Sequence, residues 1–398
     1  MKILFVINTL SRAGAEMAMI ELMRHLPEHE VELFVLTGQG ELSEELPEGV
    51  RLIGDEVVPE SVHSKKGEKV LFLHTLRAAF SHGSGFKNLP YMVSGAFRMA
   101  HNPDRRWENL LWRLLSDGAE RFDREYDLAV AYLEGGATYY VADHVRAKKK
   151  AAFVHVDYRR AGYFKSLDRD AYSRFDRIFA VSDEVRECFL SEYDNLRDRT
   201  EVFENIVDPD RIRGLSEEGS GFDDDYDGIR ILTVGRLTPQ KGYETAIEAM
   251  YILKSHGITA RWYIAGEGAM RDRLTKLIEQ RGLNGDFILL GNVDNPYPLM
   301  RECDIYVHAT RFEGKSVAIR EAKILGKPVA ASDVSGNREL IRDGYDGVLC
   351  EHDPADVASA IERLIEDDVL RKELGRHAYD EAELLSEDID KLTAMMGA

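Results

Sequence analysis

The chain has 398 residues, 44% of them hydrophobic, and a formal charge of −19 from 52 basic and 71 acidic side chains. That length accommodates two domains with full cores, and the negative balance excludes a general nucleic-acid binder, which needs a positive field over its contact surface. Cys188, Cys303 and Cys350 are odd in number and form no CxxC pair, so neither a disulfide framework nor a zinc site is expected. No apolar run approaches the roughly 18 residues of a spanning helix. The chain therefore reads as cytosolic, with any membrane contact peripheral.

Ile3 to Ile7 is predicted as a buried strand, followed by the small-residue loop Asn8 to Glu16, an amphipathic helix to Leu26 and a second strand from Val31 to Leu36. This opens the chain with a βαβ unit of parallel, doubly wound type. Gly14, in the first loop, suits either a tight turn or the close approach of a phosphate. Residues 61–113 differ in character, with nine Lys/Arg against three Asp/Glu and with Phe72, Phe80, Phe86, Tyr91, Phe97, Trp107 and Trp112 interleaved. Such a stretch fits the headgroup region of an anionic membrane or an anionic acceptor. It fits equally a solvated basic face with its aromatics in the core. Three further strands are predicted over 127–132, 151–154 and 177–181. Loops at strand C-termini line the ligand crevice of an open parallel sheet, which places His155 and Asp157 at its mouth. Ser182 and Asp183 read as the N-cap of a helix over 184–192.

The acidic, glycine-bearing stretch 216–228 reads as a linker, separating a first domain over 1–215 from a second over 229–376. There the βα pattern restarts with Ile229 to Val234, the loop Gly235 to Gly242 and a helix from Tyr243. Arg236 and Lys241 suit a diphosphate, the arginine as a two-pronged donor and the lysine as a point charge. A strand over 261–265 leads into Gly266-Glu267-Gly268 and a helix over 270–281, and one over 287–290 leads into Gly291-Asn292-Val293. Asp304 to His308 is a further strand, and Ser316 to Leu325 a helix. Between them lies Arg311-Phe312-Glu313-Gly314-Lys315-Ser316-Val317. The amides of Gly314, Lys315, Ser316 and Val317 stand at a helix start, where they lack intrahelical acceptors and the dipole favours an anion. Glu321 follows Glu313 after seven residues, a separation on the order of 10 Å at helical rise. Taken alone, the two carboxylates also fit a first-turn glutamate and a surface glutamate.

Together, Gly235-Arg236-Leu237 with Lys241-Gly242, Ala265-Gly266-Glu267-Gly268, Glu313-Gly314 with Glu321-Ala322, Gly326-Lys327-Pro328-Val329 and Glu339 to Gly347 resemble the retaining GT-B glycosyltransferases of the family 4 type (glycosyl transferases group 1). The first half matches more weakly, through Ala13 to Glu16, His155, Val181-Ser182 and Asn205 to Asp208. The resemblance implies an α/β fold of two Rossmann-like, doubly wound domains facing across a cleft. A closing helix, within 377–398, crosses back to the first domain. It implies that Arg236 and Lys241 hold a donor diphosphate, Glu321 the ribose and Glu313 the transferred sugar. Gly266, Gly268 and Val293 border the base, Gly14 stands near the phosphates and His155 near the sugar. The expected chemistry is hexose transfer from a nucleotide-sugar, UDP-linked, to a glycan or lipid-linked acceptor, with no cofactor and no metal. A soluble enzyme with a small acceptor and a non-catalytic nucleotide-sugar-binding subunit are the alternatives. Two departures stand out: Ala13 replaces a second glycine, and Lys315-Ser316 replaces the usual residues after Glu-Gly. A lysine at a helix N-terminus opposes the dipole, so Lys315 is expected to face an anion.

Overall fold

Strands that are apolar at nearly every position need cover on both faces, and a parallel sheet between helical layers supplies it. The computed structural model, which describes residues 1–54, 57–59, 65–100, 108–158, 161–163, 165–382 and 388–397, contains two such sheets. The first comprises β1 (Lys2–Ile7), β2 (Glu30–Val35), β3 (Arg51–Ile53), β4 (Glu125–Ala131), β5 (Arg146–Val154), β6 (Arg177–Ala180) and β7 (Thr200–Val202), in the order β3-β2-β1-β4-β5-β6-β7. The second comprises β8 (Ile229–Val234), β9 (Ala260–Ala265), β10 (Phe287–Gly291), β11 (Ile305–His308), β12 (Val329–Ser332) and β13 (Val348–Cys350), in the order β10-β9-β8-β11-β12-β13. Every pairing between these strands is parallel.

Side chains alternate faithfully between the two faces of the first sheet. Ile3, Phe5 and Ile7 join one apolar cluster with Val130 and Phe153, while Leu4 and Val6 join another with Ala129, Ala131 and Val154. The second sheet is covered in the same way by a cluster around Trp262 and Ile247 and one around Tyr263 and Tyr306.

The chain divides between Ile206 and Val207, not within 216–228. The helix Pro209–Ser216, capped by the Asp208 carboxylate at the Arg211 amide, buries Ile212 beside Leu232 and Tyr306 and so belongs to the second unit. The acidic stretch is no linker either. The Asp224 carboxylate accepts from Arg230 (2.7 Å), Arg261 (2.9 Å) and the Tyr263 hydroxyl (2.6 Å), which binds the segment along the sheet.

The expected single C-terminal helix over 377–398 is two. One, Asp368–Glu381, packs in the second unit, with Gly375 against Gly326. The other, Ile389–Gly397, buries Leu392 and Met395 in the first unit's core with Ile3 and Phe5. It is held there by Lys391 Nζ donating to the Val202 carbonyl (2.7 Å) and by Asp388 accepting from the Glu204 amide (2.5 Å). The return of the chain end to the first unit is thus made by the last nine helical residues.

Within 61–113 lie the helices Lys65–Phe80 and Ser84–Ala100 and the start of Glu108–Gly118. Residues 61–64 and 101–107, with Trp107, lie outside the described residues, as do the side chains of Lys65 and Phe97.

Candidate active site

In the second unit, the loops after β8, β9, β10 and β11 leave the same edge of the sheet and are stitched together by backbone hydrogen bonds. The Leu237 amide donates to the Glu267 carbonyl (2.8 Å), that of Gly266 to Gly291 (2.7 Å) and that of Arg311 to Gln240 (2.8 Å). Two glycines are required by this closeness. A Cβ on Gly266 would run into the Gly235 carbonyl, and one on Gly268 would lie 2.5 Å from that of Leu237.

β11 ends in His308, and five residues on, Glu313 turns back toward it. Glu313 Oε2 accepts from Lys241 Nζ at 2.6 Å and from His308 Nε2 at 3.2 Å. A carboxylate can only accept, so the network puts the imidazole proton on Nε2. That nitrogen also lies 3.2 Å from Ser316 Oγ, and Nδ1 is left buried without a partner among the described residues. The Glu313 and Lys241 side chains are 14% and 19% exposed. Burial acts to raise the Glu313 pKa, but the charge of Lys241 and the His308 hydrogen bond outweigh it and hold the carboxyl at about 2. Burial, and then the Lys241 charge, lower the His308 pKa, which keeps the ring neutral at neutral pH.

The helix Val317–Ile324 begins here, with Ser316 as N-cap accepting from the Ile319 amide at 3.4 Å. Glu321, one turn in, accepts from the Tyr297 hydroxyl at 2.8 Å, and burial raises its pKa. Arg236 is exposed, and its guanidinium makes no bond to the described residues. Lys315 is nearly buried, with Nζ 3.8 Å from the Glu339 carboxylate, so a protein acid already faces it. Val293 packs partly buried against the apolar cluster beneath these loops.

In the first unit, the ends of β1, β4 and β5 meet around Glu134. Its Oε1 accepts from the amides of His155 (2.5 Å) and Val156 (3.2 Å), while its carbonyl accepts from Asn8 Nδ2 at 2.8 Å. Burial lifts the Glu134 carboxyl to about 7. His155 stacks on Phe153 and lies tilted against Tyr132, and burial lowers its pKa to about 3. Its Nε2 is buried and has no partner among the described residues. Gly14 begins the helix Gly14–Arg24, and nothing lies within 4 Å of where its Cβ would be. Packing does not demand a glycine there.

Residues 222–381 match the family model described as glycosyl transferases group 1. Among relatives, a Campylobacter jejuni N-acetylgalactosamine-N,N'-diacetylbacillosaminyl-diphospho-undecaprenol 4-alpha-N-acetylgalactosaminyltransferase is 31% identical over 203 residues, which are 50% of this chain and 54% of that one. A Streptomyces kanamyceticus alpha-D-kanosaminyltransferase is 34% identical over 175 residues, 43% and 45% of the two chains. The chain spans about half the length of these curated relatives. Anabaena HepE, solved in complex with UDP and glucose, superposes with a TM-score of 0.68 at 19% identity, covering 99% of this chain and 98% of that one. The two doubly wound parallel sheets are accordingly the GT-B fold.

Within the matched segment, the structure brings Lys241 and Glu313 into contact and sets Ser316 and Val317 at the helix start beside them. Two residues were missed by the sequence reading. His308 is hidden inside an apolar strand, its one signal being its position five residues before Glu313. Glu134, outside the group 1 match, signals itself only as an acid after a buried strand and before two glycines.

Proposed function

We propose that this chain is a retaining, metal-independent hexosyltransferase that uses a nucleotide-sugar donor, UDP-linked, and a glycan or lipid-linked acceptor in surface or exopolysaccharide synthesis. The observation that carries the reading is the Lys241–Glu313–His308 contact beside the start of the Val317–Ile324 helix. Cleaving an anomeric bond builds positive charge on the sugar and negative charge on the departing diphosphate. Arg236, the two remaining donors of Lys241 and the helix-start amides are suited to the diphosphate. They provide the positive charge that a divalent cation provides in metal-dependent transfer. A carboxylate held near a pKa of 2 by two donors is a weak nucleophile, so Glu313 acts as an anchor for sugar hydroxyls. Retention then has the acceptor enter on the leaving-group face, with a phosphate oxygen taking its proton. Glu321 serves the ribose, Val293 borders the base, and His155 is a neutral partner for the sugar.

The Campylobacter relative, by its name, acts on a diphospho-undecaprenol acceptor, and Anabaena HepE was solved with UDP, which support the acceptor and donor classes. No helix among the described residues is long and apolar enough to cross a membrane. The test is a panel of UDP-, GDP- and ADP-sugars read by thermal shift and by donor hydrolysis, since selective binding raises the melting temperature. UDP-sugars are expected to stabilise and to be hydrolysed. Stabilisation by none of them would refute the proposal. Faster UDP release with soluble small-molecule acceptors, and not with polyprenyl-linked sugars, would indicate a soluble enzyme with a small acceptor. Donor binding without turnover on any acceptor would instead indicate a non-catalytic subunit.

A further inference from the structure

The helices Lys65–Phe80 and Ser84–Ala100 form a hairpin whose polarity is inverted. In an ordinary surface helix the apolar stripe faces the core and the polar one faces water. Here the inward contacts are small or polar. The Gly67 carbonyl accepts from Gln39 Nε2 (2.8 Å), Ser84 Oγ donates to the Leu114 carbonyl (2.8 Å), and Asn88 Nδ2 donates to Asp117 Oδ2 (2.8 Å). Ala78 and Tyr91 are the buried apolar members, Tyr91 beneath the Arg169 guanidinium. The outward stripe of the first helix is Lys69, Phe72, Leu73, Leu76, Arg77 and Phe80, and that of the second is Phe86, Leu89 and Val93. Phe72 is 63% exposed, and Phe80 and Phe86, flanking the tight Ser81–Gly83 turn, are 87% and 88% exposed. More than half of the exposed large hydrophobic side chains of the described residues lie between Phe72 and Val93. Contiguous patches of this kind mark an interaction surface.

Charge identifies the partner. Residues 65–100 contain six Lys/Arg and one Asp/Glu, a local +5 in a chain whose total is −19. Pairing this face with its own copy across a two-fold axis would set like charges against like. A bilayer with anionic headgroups satisfies both features at once: aromatic and aliphatic groups enter the acyl boundary while Lys66, Lys69 and Arg77 meet lipid phosphates. Lys87 stands at the rim, 3.6 Å from Asp117. We infer that the 65–100 hairpin docks the protein on an anionic membrane surface, with Phe72, Phe80 and Phe86 as the inserted anchors. The inference deepens the lipid-linked-acceptor reading, but its measurement involves no sugar substrate, so the two can fail separately.

The experiment is flotation of the full chain with phosphatidylcholine vesicles, with and without added phosphatidylglycerol, alongside analytical ultracentrifugation of the protein alone. The wild type is expected to float with the anionic vesicles and not with the neutral ones. The Phe72→Ser/Phe80→Ser/Phe86→Ser variant should lose at least tenfold in the bound-to-free ratio. Lys66→Glu/Lys69→Glu/Arg77→Glu should lose at least roughly 100-fold, from about fivefold for each basic residue removed from an anionic surface, with the added glutamates repelled besides. Both variants alter exposed side chains, so their melting temperatures and UDP-sugar hydrolysis should match the wild type. Absence of flotation with anionic vesicles overturns the inference, as does equal flotation with neutral ones. A dimer that the triple-serine variant dissociates, without vesicle binding, would assign the face to a second copy and also overturn it.

Discussion

Glu313→Gln separates the two tasks assigned to the site. The substitution keeps the shape and one carbonyl acceptor but removes the negative charge opposite Lys241 Nζ, 2.6 Å away. Glu313 sits at about 2 in the fold against an ordinary 4.5, a gap worth about 3 kcal/mol at roughly 1.4 kcal/mol per pH unit. Because the folded pKa is the lower one, this stability is fully present above pH 4.5 and is lost as pH falls toward 2. Urea unfolding should therefore find the variant less stable by up to about 3 kcal/mol at pH 7 and pH 5, the remaining carbonyl reducing the figure. The gap should narrow only below about pH 4.5. A variant as stable as the wild type at pH 7, or a gap constant down to pH 3, would refute the ion-pair account. In catalysis, one hydrogen bond to a charged group contributes about 2 kcal/mol, so kcat/KM should fall roughly 30-fold while UDP affinity, by calorimetry, changes less than about threefold. Glu321→Gln should do the reverse, weakening UDP roughly tenfold. Equal loss of UDP affinity in both variants would contradict the division into a sugar end and a ribose end.

Gly14→Ala tests whether a glycine that packing does not demand serves a ligand: unfolding stability should change by less than about 0.5 kcal/mol, and donor KM should rise severalfold. Gly268→Ala meets the Leu237 carbonyl and should cost about 1–3 kcal/mol in unfolding together with donor affinity, so a neutral result would contradict the close packing of those loops. Glu134 is raised to about 7 by burial, so its ionisation costs the fold progressively between pH 4.5 and 7. The stability of Glu134→Gln relative to wild type should rise across that window and level off above it, and a flat difference from pH 4.5 to 8 would exclude the buried charge. Lys315→Ala should raise the KM for donor or acceptor; unchanged kinetics would assign Lys315 wholly to Glu339, the acid it faces in the structure.

The long inner strands were legible because a parallel sheet is covered on both faces, which leaves Ile3 to Ile7 apolar throughout and Ile229 to Val234 apolar at all but Arg230 and Thr233. The edge strands β3 and β7 were not. Each has three residues, begins with a polar side chain and has no period to detect. The helix Gly136–His144 escaped for the opposite reason, since it is buried nearly all round and shows no amphipathic stripe. The misplaced domain boundary came from reading acidity as solvation. Asp224 is neutralised by Arg261, 37 residues further on, a pairing that no local composition reveals.

The site divided along the same line. Glu313, Lys241 and Glu321 stood out in the sequence through residue type, spacing and the family resemblance, and the structure sets the first two 2.6 Å apart. His308 did not stand out, because a strand histidine looks like core until the chain folds Glu313 back upon it. The 65–100 segment shows the limit most clearly. Its helical period and its mixture of basic and aromatic residues are visible in the sequence, but a period does not say which stripe faces inward. That was decided by Leu114 and Asp117, a helix away, whose carbonyl and carboxylate take Ser84 and Asn88 inward and so turn Phe86 and Leu89 to the outside. Satisfying two buried polar groups fixed the orientation of the hairpin, and the exposed apolar face is its consequence.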